Sequence, residues 1–171
     1  YKVNEGNDVS NTATAAIDSI TSINDAPVAE VVEAPENGNG NEGGTITTTL
    51  TATDVDDSDP TGFTFSIISQ PTGITGSVSI GTVSYSSGTF TAVANYTHDG
   101  SEATSDSFTY MANDGTDDSN STTATFSIAA INDAPVAMAV NSSGNEGDII
   151  TTTLIATDKD DTNENTFTFI I

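Results

Sequence analysis

The chain repeats itself at a distance of about one small domain. Asn41-Glu42-Gly43 and the residues on to Phe65 recur 104 positions later, as Asn145-Glu146-Gly147 on to Phe169. Ile23-Asn24-Asp25-Ala26-Pro27 recurs 108 positions later as Ile131-Asn132-Asp133-Ala134-Pro135. Self-similarity at a fixed period marks a tandem array, and a period of this length is enough for one independent core. The small mismatch between the two shifts falls in the connector before Glu42 and Glu146, where loops absorb length changes at low cost. Tyr1 aligns with Tyr110 and Ile171 with Ile67, both inside expected strands. The sequence therefore predicts the tail of one repeat (1–25), a whole repeat (26–133) and the opening of a third (134–171), cut from a longer array.

Within the whole repeat, apolar residues alternate with Ser and Thr between Gly, Asn, Asp and Pro clusters, the pattern of half-buried strands. The first short strand is expected over 28–32. Over 45–53, Ile46, Thr48, Leu50 and Ala52 face inward, and Thr45, Thr47, Thr49, Thr51 and Thr53 form an outward row. Phe63, Phe65 and Ile67 line the next strand, followed by 78–80, 82–85 and 90–96, then Phe108 with Tyr110, and Ala124 with Phe126 and Ile128. Short strands at this spacing, without a helical period, predict an all-β fold with no helix: tandem antiparallel β-sandwiches of immunoglobulin-like shape.

Twenty-five acidic residues face two basic ones, Lys2 and Lys159, for a net charge of −23. So few cations leave the carboxylates almost without internal partners. No cationic surface exists to displace phosphate counterions, which excludes nucleic acid as a partner. No run of about 20 apolar residues is present, so no membrane span is expected in this segment. Without cysteine there are no disulfides, and a secreted domain of this kind needs another cross-link. Calcium fits an oxygen-rich chain.

The acidic residues are also patterned. Asp54, Asp56 and Asp57, with Asp59 soon after, recur as Asp158, Asp160 and Asp161 with Asn163. Alternate carboxylates on a strand-end loop direct several oxygens to one point, as a hard cation with six to eight oxygen ligands requires. A solvated acidic loop is the plain alternative. Asn24 with Asp25, and Asn132 with Asp133, can bring side-chain and backbone oxygens into one turn, from which proline sets an extended exit. Glu42 and Glu146 each precede a strand, with a glycine that lets the backbone turn beside a ligand. An exposed loop glutamate is the competing reading of that motif.

These motifs resemble the cadherin-like tandem repeats of large bacterial surface proteins. In cadherins, calcium lies between successive domains, held by a Glu near the domain start, a D-x-N-D-N-A-P linker and an A-x-D-x-D run. The resemblance groups Glu42 with 23–27 and 52–57, and Glu146 with 131–135 and 156–161. This linker lacks the first Asp and the final Asn, which lowers the implied number of ions per junction from three to one or two. The stretch 96–108 also resembles the repeats of chondroitin sulfate proteoglycan core proteins. By position, a mid-domain cadherin motif implies Asp99, Glu102 and Asp106 as further ligands at the 133–160 junction.

His98, the single histidine, is expected to pack a turn. Asp114, Asp117 and Asp118 read first as turn residues and second as an extra calcium loop. The resemblance implies a non-catalytic, extracellular protein of the cell surface: a calcium-rigidified repeat of an adhesin or its extender region. The alternative is a structural subunit of an extracellular filament or sheath. Expected partners are neighbouring repeats of the same chain, other copies in a filament, or a host or surface ligand bound outside this segment.

Overall fold

A computed structural model of the chain describes residues 1–32, 38–71, 76–161 and 167–171. Two sheets face each other across the middle repeat, and the described residues contain no helix. The first sheet is built from β3 (Val28–Ala29), β5 (Thr45–Thr53), β9 (Thr89–Thr97) and β7 (Ser77–Ile80), with β8 (Ser84–Ser86) also on β9. The second runs β4 (Asn39–Asn41), β11 (Thr122–Ala129), β10 (Ser105–Asn113) and β6 (Thr64–Ser69). The all-β, immunoglobulin-like sandwich expected from the sequence is the fold observed.

The inward positions of β5 follow the alternation: Ile46, Thr48, Leu50 and Ala52 are buried. They lie on an unbroken antiparallel register with β9, from Thr45↔Thr97 to Thr53↔Thr89. From the facing sheet come Phe108, Tyr110, Ala112, Ala124, Phe126 and Ile128, so the core lies between the two β layers. Aromatic rings bridge the layers. Tyr96 of β9 stacks on Phe126 of β11 with centroids 4.6 Å apart, and Phe63 stacks on Phe90 at 3.7 Å.

The first strand departs from expectation in an informative way. Only Val28–Ala29 pairs with β5, whereas Val32 makes a parallel bridge to Ala124 in the opposite sheet. The chain then continues as β4, parallel to β11, with Asn41 opposite Ala129. One segment thus closes an edge of both sheets. β4 was not expected, because Asn-Gly-Asn has no apolar alternation. Gly40 fits there because a Cβ would lie 2.4 Å from Ile46 Cγ1.

Local pairings recur between the copies. The β3–β5 pair Val28↔Thr53 reappears as Val136↔Thr157 between β12 (Val136–Met138) and β13 (Ile155–Thr157). The Asn113↔Asp118 bridge has its counterpart in the Asn4↔Val9 pairing of β1 (Asn4–Glu5) with β2 (Asp8–Val9). Gly6 and Gly115 turn these two hairpins at φ 62° and 98°.

Candidate functional site

Aspartates fold the acidic loops by capping their own backbone. Asp54 Oδ1 accepts N–H bonds from Asp56 and Asp57, each at 2.8 Å, just after β5. Asp158 Oδ1 does the same for Asp160 at 2.9 Å and Asp161 at 3.2 Å, just after β13. An aspartate that accepts from the amides two and three residues on makes this turn locally, whatever lies around it. One carboxylate oxygen shapes the loop and the other remains for a partner. Asp54 Oδ2 is a buried atom with no hydrogen-bond partner. Asp57 and Asp59 continue the chain of turns, and the Thr61 hydroxyl and N–H hold Asp59 below the usual carboxylate pKa. Asn163 lies outside the described residues.

Each linker closes on the second aspartate of the loop that follows it. The Asp25 N–H donates to Asp56 Oδ2 at 2.8 Å, and the Asp133 N–H donates to Asp160 Oδ2. Asn132 turns its amide onto the Asp133 carbonyl at 2.8 Å. Asn24 reaches further, donating to Asp114 Oδ2 at 2.9 Å and Asp117 Oδ2 at 3.0 Å. The Asp117 N–H, with help from Asn24, holds the Asp114 carboxyl below its ordinary pKa. Asp114 and Asp117 therefore meet the linker, although their sequence reads first as a turn. The available signal was their position between β10 and β11, whose connecting loop faces 23–27.

The densest cluster is at the second linker. Carboxylate oxygens of Glu42, Glu102 and Asp133 lie within 4.8 Å of one another. Glu42 and Asp133 are half-buried, and Glu102 is exposed. Partial desolvation, a hydrogen bond with Asp160 and the charges of Asp160, Glu42 and Asp133 raise the Glu102 pKa. Like charges held this close repel one another, so this group favours a cation. Lys159 supplies one: its Nζ lies 3.0 Å from Asp133 Oδ2 and 3.2 Å from the Gly100 carbonyl oxygen, to which it donates.

The grouping of the two glutamates differs from that read in the sequence. Glu42 Oε2 accepts the Ile131 N–H at 3.2 Å, so Glu42 belongs with 131–135 and 158–161 rather than with 23–27. The parallel β4–β11 pair explains this, since Asn41 opposite Ala129 brings the next residue of each strand to one end of the sandwich. Glu146 stands exposed in the 145–148 turn, which the Asn145 N–H bond to Asp148 closes at 2.9 Å.

The other mid-domain acids are held differently. Asp99 Oδ1 accepts the Ser101 N–H at 2.9 Å within its turn. Asp106 accepts from Tyr96 Oη at 2.7 Å and from the Ser107 N–H at 2.8 Å. His98 is buried, and its Nδ1 accepts from the backbone N–H of Gly43 and of Gly100, both at 3.1 Å. It thereby pins the loop carrying Glu42 to the loop carrying Glu102.

All the side chains of these clusters offer oxygen, apart from the amide and ammonium nitrogens, and this donor set suits a hard divalent cation such as Ca²⁺. The unpartnered Asp54 oxygen at the first junction fits the same chemistry. A family model described as a bacterial Ig domain matches residues 24–128, more than half of the chain. No curated protein matches it.

Proposed function

The chain belongs to the bacterial Ig domain family, and from that premise we propose that it is a calcium-rigidified repeat of an extracellular surface adhesin or of its extender region. Domains of this family are typically non-catalytic and occur in surface or extracellular proteins. The observation that carries the finer reading is the meeting of Glu42, Glu102, Asp133 and Asp160. These four acids come from the body of one repeat, the linker and the acidic loop beyond it.

In this proposal Glu42, Glu102, Asp133 and Asp160 hold the ion at the second junction, with Asp158 and Asp161 shaping the loop and Asn132 the linker. At the first, Asn24, Asp25, Asp54, Asp56 and Asp57 do the same work. Bound calcium supplies positive charge that neutralises mutually repelling carboxylates. The chain's own residues fix the geometry: Asp54 and Asp158 preform the loops, and His98 sets the spacing of Glu42 from Gly100. An ion shared between linker and flanking loops removes hinge freedom, which turns a string of sandwiches into a stiff rod suited to projecting a binding tip.

Small-angle scattering of the full chain in millimolar calcium and in chelator tests the rigidification. A narrower spread of distances between the middle repeat and its flanking segments is expected with calcium. Identical profiles in the two buffers would remove the mechanical role.

A further inference from the structure

The two junctions share a loop, a linker turn and a closing hydrogen bond, yet differ at one position. The residue between the first two aspartates of the loop is Val55 in one and Lys159 in the other. Val55 is 87% exposed. Lys159 instead folds back, placing its ammonium on Asp133 Oδ2 and the Gly100 carbonyl. These contacts join the linker, the loop after β9 and the loop after β13, the segments that a bound ion would join.

We infer that Lys159 is a built-in cation of the second junction, a specificity-determining residue that holds one charge position there and makes this junction bind calcium more weakly than the first. The inference rests on the calcium reading of the junctions. An ammonium offers three donors and one charge, too few to satisfy the whole cluster, so the junction still accepts a divalent ion. To use Asp133 Oδ2 as a ligand, that ion must displace the ammonium or share the oxygen with it. A lysine ammonium is cationic at neutral pH, so the charge stays in place.

A graded response follows. As calcium falls, the first junction, with Val55 where the second has Lys159, loosens once its ion leaves. The second retains a contact from Lys159 across its linker. One chain thus carries a junction that depends on calcium and a junction partly insured against its loss.

The test is calorimetric titration of the full chain with calcium chloride, alongside amide chemical shifts of Asp25 and Asp133 to assign each binding event. Wild type is compared with Lys159→Val, which installs the first junction's residue, and with Val55→Lys, which installs the second's. Lys159→Val should tighten calcium binding at Asp133 about fivefold, the upper range for an exposed ion pair. Val55→Lys should weaken binding at Asp25 by a similar factor. Calcium heats that are present but unchanged in both variants overturn the role of Lys159 and leave the calcium reading intact. The absence of calcium heats from all three proteins overturns both.

Discussion

Thr48 occupies a core position of β5 with its hydroxyl unsatisfied. It is 4% exposed, lies opposite Ala94 of β9, and its Oγ1 has no hydrogen-bond partner. A buried hydroxyl without a partner costs about 1–3 kcal/mol. Thr48→Val removes that group while keeping the branched Cβ that suits a strand. The folded state should gain about 1–2 kcal/mol, and for a domain of this size each kcal/mol raises Tm by about 4–8 °C. Urea unfolding at 25 °C reads the gain as a higher midpoint at unchanged slope. Thr49→Val, on the exposed face of the same strand, should change stability by less than about 0.5 kcal/mol. Equal or lower stability for Thr48→Val would refute the reasoning, because it would mean that the hydroxyl is satisfied, as by a buried water.

Other perturbations reach different parts of the account. Gly40→Ala should destabilise the middle repeat by about 1–3 kcal/mol by driving a methyl into buried Ile46, and thermal unfolding would detect it. Burial, reinforced for Tyr96 by its hydrogen bond to Asp106, raises the pKa of Tyr96, and burial pushes that of Tyr110 up to about 12. Both folded values lie above the unfolded one of about 10. Their contribution is therefore complete below pH 10 and is lost as pH rises through the raised folded values, about 12 for Tyr110, a decline that Tyr110→Phe should make shallower in denaturation curves. Phe126→Ala, which removes the ring stacked on Tyr96, should cost about 3–5 kcal/mol by the same assay.

The sequence was most informative where side chains alternate against a buried face. In 45–53 every second residue is inward, and the strand boundaries follow directly. It was least informative where backbone alone determines position: β4 is held by pairing to β11 and by the missing Cβ of Gly40, and neither leaves a hydrophobic pattern. The junction chemistry was legible as residue types and the loop shape as a local turn. The assignment of Glu42 to one linker rather than the other was not, because it depends on the parallel β4–β11 register. Lys159 counted in the sequence only as a scarce charge, and its meeting with Asp133 needs the fold to bring a linker and a loop together.

The most direct test of the central claim is the melting temperature of the chain in millimolar calcium and in chelator, for wild type and for Glu42→Gln with Glu102→Gln. Calcium at about a hundred times its Kd stabilises by about 2.7 kcal/mol per site, a Tm rise of about 11–22 °C for a domain of this size. The account predicts that rise in wild type, with the second junction's share lost in the double variant and the first junction's share kept, while Asp18→Asn leaves both. A melting temperature that ignores calcium, or a rise as large in the double variant as in wild type, would contradict it.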